Sequence, residues 1–262
     1  MIQKIARQLG IHVPTTLGMG HRRRSAVAKR GEELLDQLDP PFRAALLSMY
    51  RSEPQLGADA LLHAMDPITR ISPSQGMWLY DLCLATKPKA MLEIGMAYGF
   101  STLYFLAAMA RNRMGHHTAI DPFQLSTWHG IGLTHAKALA PTGDQAPNFR
   151  FIEDRSERVA TDLARANASF DLIFIDGTHL FDGVLADFYL YAPLCAMGGR
   201  IIFDDNWMSS VRTALAFVCA NRSDFTEIPA SESNVRVLQR VSTDKRPWDH
   251  FREFAVSLPN KK

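Results

Sequence analysis

Beyond residue 89 the chain alternates short apolar runs with longer segments whose apolar residues recur at helical spacing, and few folds accept that alternation. Apolar runs over 90–94, 117–120, 149–152, 170–175 and 200–203 predict five strands, and 101–111, 132–140, 158–166, 184–192 and 211–221 predict the helices between them. A helix between two strands returns the chain to the same end of a sheet, so the expected α/β architecture is a doubly wound parallel sheet. The ending differs. Runs at 225–229 and 235–241 are separated only by residues 230–234, too short for a crossover, and predict a C-terminal antiparallel hairpin that brings the sheet to seven strands.

With 262 residues, 47% of them hydrophobic, the chain can bury one substantial core. The expected division is therefore one α/β domain over 71–262 and an N-terminal helical extension over 1–70, acting as a lid or dimer segment. Helical spacing predicts helices over 33–38, 42–50 and 58–65, and Ser72-Pro73 predicts the start of another that runs to about Ala85. No apolar stretch is long enough to span a bilayer, and Lys4 and Arg7 interrupt the opening residues, unlike a secretory leader, so a cytoplasmic protein is expected. Cys83, Cys195 and Cys219 lie in apolar sequence and read as reduced, packed thiols.

Net charge is only +2, yet Lys4, Arg7, Arg22, Arg23, Arg24, Lys29 and Arg30 precede the first acid, Glu32. A solvated arm or dimer contact is the favoured reading. An RNA or membrane-surface patch and an organelle transit peptide are the rivals, and the absence of interleaved aromatics speaks against nucleic acid.

The run from Met91 to Thr102 places Gly95 and Gly99 in a strand-to-helix turn. Bare backbone there lets a ligand approach, and the helix N-terminus offers N–H groups to a carboxylate. Asp121, ending the next strand, is placed to accept two ribose hydroxyls. A nicotinamide dinucleotide would use the same elements, but its loop wants G-x-G-x-x-G, and Glu93 in this space would repel a pyrophosphate. The cationic end of S-adenosylmethionine suits Glu93 better, which points to a methyltransferase.

Strand ends at Asp176 and at Asp204-Asp205-Asn206 should meet at the carboxyl edge of the sheet beside that turn. Asp176, Asp205 and Asn206 are hard oxygen donors that suit Mg²⁺ or Ca²⁺, with Asp204 as a rival ligand. Such a cation would lower the pKa of an acceptor hydroxyl and orient it. The rival reading is that Asp204 and Asp205 cap the following helix.

On these motifs the stretch from about Ile71 to Val241 resembles the class I S-adenosylmethionine-dependent methyltransferases, a Rossmann-like fold, and within them the catechol and caffeoyl-coenzyme A O-methyltransferase group. The resemblance implies that Gly95 lies against the cofactor, that Tyr98 and Ser101 touch its methionyl carboxylate, that Asp121 holds the ribose and that Ser156 contacts the adenine. Glu157 departs from the usual amide. It also implies that Asp176 serves both cofactor and metal, with Asp205 and Asn206 completing the metal site. His179 stands where that group has a lysine base, so it is either the general base or a residue that caps a helix or bonds Asp176. Trp128 either stacks on adenine or packs its loop, Trp207 and Met208 line an acceptor pocket, and His135 is a helix-surface residue. The expected activity is O-methylation of a hydroxyl on a small molecule, by a homodimer. An RNA-modifying or RNA-binding protein and a nicotinamide oxidoreductase are the alternatives.

Overall fold

The computed structural model describes residues 30–141 and 148–256; Lys4, Arg7, Arg22, Arg23, Arg24 and Lys29 of the basic cluster lie outside the described residues. The elements in chain order are α1 (Pro40–Tyr50), β1 (Gln55–Leu56), β2 (Leu62–His63), α2 (Pro73–Thr86), β3 (Ala90–Ile94), α3 (Phe100–Asn112), β4 (His116–Ile120), α4 (Ile131–Leu139) and β5 (Phe149–Ile152). Then follow α5 (Ser156–Arg165), β6 (Phe170–Ile175), α6 (Phe181–Tyr191), β7 (Cys195–Phe203), α7 (Ser209–Asn221), β8 (Phe225–Ile228) and β9 (Arg236–Arg240).

The main sheet has seven strands in the order β5-β4-β3-β6-β7-β9-β8. Strands β3 to β7 pair in parallel, while β9 runs antiparallel to both β7 and β8. The doubly wound, Rossmann-like sheet and its terminal hairpin are thus as expected. The winding reverses between β3 and β6, which opens a crevice at their carboxyl ends.

Period-two alternation sends Leu92 and Ile94 to one face, with the buried residues of α5, α6 and α7, and Met91 to the other, with those of α1 to α4. On that second face α3 is buried continuously from Phe100 to Met109, as a helix apolar on nearly every side must be. Its outer side is covered by α1 and α2. Gly76 makes the approach possible, because a Cβ there would lie 2.0 Å from the Tyr104 ring. The Tyr50 hydroxyl donates to the Ile71 carbonyl at 3.1 Å and lies 3.2 Å from that of Tyr104. The described part of the N-terminal segment therefore shares the core of the sheet domain.

Helix α2 starts as predicted: Ser72 Oγ accepts the Gln75 N–H at 3.1 Å and Pro73 occupies the first turn. Two expectations are corrected. Residues 58–65 are not a helix but the turn and second strand of a hairpin, β1–β2, because Asp59 accepts the Leu61 N–H and holds His63, stabilising a tight turn instead. Strand β7 begins five residues before the expected 200, its first pair to β6 separated from the rest by an irregularity around Gly198, at φ +79°. Cys83 and Cys195 are buried as expected, but Cys219 is exposed, 3.7 Å from the Arg236 guanidinium. Among the described residues no helix is long and apolar enough to cross a membrane.

Candidate active site

The glycine turn after β3 is shaped by protein backbone on both sides. Gly95 has φ +91°, and a Cβ there would lie 2.1 Å from the Asp176 carbonyl oxygen. Gly99 has φ +84° and meets Gly132 of α4, where its Cβ would come within 2.8 Å of the Cα. Both glycines are therefore required by the close approach of β6 and α4, before any ligand is considered. The same packing sets the turn directly against the end of β6.

Glu93 does not face the crevice, which corrects the reading of its carboxylate as a partner for a cationic ligand. Alternation along β3 turns it beneath α3, fully buried, where Ser101 and Thr102 donate to it, the latter at 2.6 Å, and His117 Nε2 lies 2.9 Å away. The Ser101 hydroxyl is thus turned inward onto Glu93. Tyr98 is buried, its hydroxyl accepting the Asp66 N–H at 3.3 Å and its ring meeting Trp128 edge-on at 5.1 Å. Trp128 so packs its loop on the glycine turn. Asp121 ends β4 as predicted, and its carboxylate gathers the turn by accepting the N–H groups of Met96 (3.1 Å), Ala97 (2.8 Å) and Phe123 (2.8 Å). Burial raises its pKa. Ser156 opens α5 and donates to Asp187 at 2.6 Å. His135 is tied to the hairpin, 2.8 Å from Gln55 Oε1.

The ends of β6 and β7 behave differently. Asp176, His179 and Asp205 offer ligand atoms within 4.8 Å of one another. His179 Nε2 lies 2.8 Å from Asp205 Oδ2 and 3.5 Å from Asp176 Oδ1, yet its N–H is aligned with neither and the atom is buried without a hydrogen bond. Asn206 Oδ1 is likewise buried and unpartnered. Burial pushes the Asp176 carboxyl up to about 6, against the pull of His179. For His179 burial opposes the charged form, but Asp176 and Asp205 outweigh it and push its pKa up to about 10. Burial would raise Asp205 too, but His179, with Trp207 and Asn234, more than offsets it and leaves that carboxyl lowered. In the metal-free site His179 is therefore an imidazolium at neutral pH, which cannot accept a proton. Asp204, the rival ligand, is buried and bonded to Gln75 and Asn234 at 2.7 Å each.

These residues fit a divalent cation. Two carboxylates and an amide oxygen are the donor set for Mg²⁺, Mn²⁺ or Ca²⁺, and an imidazole extends the range to other first-row metals. Asn206 Oδ1, buried and unpartnered, is an amide oxygen of the kind such an ion would satisfy. Trp207 Nε1 donates to Asp205 Oδ1 at 2.8 Å, so an exposed indole stands beside the acids. Leu180 and Phe181, next in sequence to His179, are exposed as well.

The sequence reading missed Gln75, Asn234 and Asp187. Asp187 is fully buried, its pKa pushed up by burial to about 6, with Oδ2 unpartnered. A signal was present, since it falls on the apolar stripe Val184, Phe188, Tyr191 of α6. Gln75 and Asn234 carried none, because their partners are far away in sequence.

A family model described as a methyltransferase domain matches residues 92–206. The rhamnosyl O-methyltransferase of Mycobacterium bovis is 28% identical over 136 residues, which are 50% of this chain and 51% of that protein. A protein of Sinorhizobium fredii, y4gI, is 27% identical over 139 residues, 50% of this chain and 14% of its own length. The chain thus spans about half or less of these curated relatives. The methyltransferase PaMTH1 of Podospora anserina, solved with S-adenosylhomocysteine, superposes with a TM-score of 0.61 at 17% identity, covering 88% of this chain and 100% of that one. The O-methyltransferase TomG of Streptomyces achromogenes, solved with S-adenosylmethionine, gives 0.58 at 19%, with 86% and 100% covered. At such identities the likeness is one of fold.

Proposed function

We propose that this chain, a class I S-adenosylmethionine-dependent methyltransferase by its sheet and by the family of residues 92–206, moves a methyl group to a hydroxyl of a small molecule, with a divalent cation at Asp176, Asp205 and Asn206. The observation that carries this is the cluster of Asp176, His179 and Asp205 at the strand ends, touching the glycine turn through the Gly95–Asp176 contact.

When bound, the cofactor would supply an electrophilic methyl and leave as S-adenosylhomocysteine, and a cation would lower the pKa of the acceptor hydroxyl so that its proton can pass to solvent. The chain's own residues do the rest. The first turn of α3 presents N–H groups to the methionyl carboxylate, near the Tyr98 ring. Asp121, while holding the turn, keeps lone pairs for the ribose, and Ser156 borders the adenine. Asp176 and Asp205, with Asn206, would hold the cation at the strand ends beside the glycine turn. His179 fits better as a further ligand or as the counter-charge of the two acids than as the sequence-predicted base, since they keep it protonated.

Exposed Trp207, Leu180 and Phe181 favour an acceptor with a ring or apolar body. The rhamnosyl O-methyltransferase relative adds weight to a sugar. A cytoplasmic homodimer belongs to the same proposal and is checked by light scattering and fractionation. The main test is transfer of labelled methyl from S-adenosylmethionine to a panel of methyl rhamnosides and catechols, with and without Mg²⁺. Transfer that needs the ion and is lost in Asp205→Asn supports the reading; full transfer with metal verified absent overturns its metal component.

A further inference from the structure

We infer that Asp204, held by Gln75 and Asn234, is a positioning residue for the donor pair Asp205 and Asn206; this rests on the reading of that pair as part of a cation site. Three residues from distant segments meet here. Gln75 stands in the first turn of α2, Asp204 follows β7, and Asn234 lies between β8 and β9. Asp204 Oδ1 alone accepts three hydrogen bonds, from Gln75 Nε2, Asn234 Nδ2 and the backbone N–H of Asp205, each at 2.7 Å. Asn234 Nδ2 also lies 3.2 Å from Gln75 Oε1, which closes the triangle.

The consequence falls on the backbone of the donor pair. The Asp205 N–H is taken by the Asp204 side chain, and the Asn206 N–H by the Asn234 carbonyl at 2.8 Å. Between these two anchors Asp205 has φ +52°, a left-handed conformation that aspartate tolerates better than most residues and that the two bonds hold in place. That conformation turns its carboxylate toward His179 and Asp176. A third carboxyl group buried beside two others, one of its oxygens gathering three donors, is a costly way to meet a purely structural need. Loosening the triangle should let the turn relax and carry the Asp205 oxygens away from the cluster, with no change in the charge of the site.

The test exploits that last point, because Gln75→Leu and Asn234→Ala remove donors and no charge. Tb³⁺, an oxygen-seeking ion, is titrated into the full chain, and its luminescence is read on excitation of tryptophan, with Trp207 bonded to Asp205 as the near donor. S-adenosylhomocysteine affinity is measured by calorimetry on the same samples, and folding by circular dichroism. Each variant should weaken Tb³⁺ by about tenfold, the low end for groups that support metal ligands, with S-adenosylhomocysteine affinity unchanged within about twofold. If Asp205→Asn abolishes the signal while both variants bind Tb³⁺ like the parent, the positioning role is wrong and the cation site stands. If parent and Asp205→Asn behave alike, the cation site itself is wrong and the inference falls with it. A parallel loss of Tb³⁺, S-adenosylhomocysteine and thermal stability would mark the triangle as general scaffolding and overturn it too. Asn234, in a surface connection, keeps the test available if Gln75→Leu fails to fold.

Discussion

At the ends of β3 and β4 the acids are engaged by the protein itself: Glu93 is bonded by Ser101 and Thr102 with His117 beside it, and Asp121 by three backbone N–H groups. At the ends of β6 and β7, a few ångströms away, His179 Nε2 and Asn206 Oδ1 are buried with no hydrogen bond, and Asp176 and His179 titrate far from their ordinary values. Both regions bury polar atoms without partners, His117 Nδ1 and Gln124 Oε1 in the first and Asn206 Oδ1 in the second, but Glu93 and Asp121 are engaged by backbone and hydroxyl donors, as Asp176 and Asp205 are not among the described residues. Buried polar groups without partners are costly in a fold that gains nothing from them. The contrast therefore separates a cradle, built through backbone bonds and shape, from an edge whose side chains are the ones proposed to hold a ligand.

The cradle should break most severely at Gly95. Gly95→Ala forces a Cβ to 2.1 Å from the Asp176 carbonyl at φ +91°, and the expected cost exceeds about 4 kcal/mol, measured by urea denaturation. A soluble variant with near-parent stability would show that β3 and β6 can separate. At that edge a different pattern is expected. Asp205→Asn should lower turnover by about a hundredfold or more while S-adenosylhomocysteine affinity stays within about threefold. Equal losses in turnover and cofactor affinity would erase the distinction between the regions.

Asp121→Ala lies between these extremes, because its carboxylate gathers the turn and, in the proposed function, holds the ribose. A loss of about 2 to 4 kcal/mol in cofactor binding, read by calorimetry, is expected together with a lowered melting temperature. A fall in stability with cofactor affinity intact would confine Asp121 to the scaffold.

The smallest effect is in pH. His179 is pushed from its ordinary 6.5 up to about 10, so its charged form stabilises the metal-free protein; that contribution is complete below pH 6.5 and lost as pH rises toward 10. Asp176, raised from 3.8 to about 6, favours its protonated form and acts in the same direction within that lower window. Chelator-treated protein should melt a few degrees lower at pH 10 than at pH 7, and His179→Gln should flatten the upper part of that slope. An unchanged slope in the variant would place the titration elsewhere.

The sheet was legible because its strands are dense apolar runs separated by helices of ordinary length, and because Asp121, Asp176 and Asp205 end such runs. Residues 58–65 were not, since Ala58, Leu61, Leu62 and Met65 imitate helical spacing while a single local bond from Asp59 decides for a turn. Glu93 was misread although alternation along β3 was available to place it under α3; a motif encouraged a ligand where geometry demanded a core bond. His179 was found but its proton was not, because its charge depends on two acids that only folding brings together. Gln75 and Asn234 were invisible for the same reason, being 159 residues apart.

The most direct measurement is a calorimetric titration of S-adenosylhomocysteine, and separately of NAD, into the parent chain and into Asp205→Asn. The expected result is binding of S-adenosylhomocysteine at a dissociation constant of about 1 to 10 µM, roughly −7 to −8 kcal/mol, in both proteins, with no heat from NAD. Tighter binding of NAD, or no heat from S-adenosylhomocysteine in the parent, would contradict the assignment of the cradle.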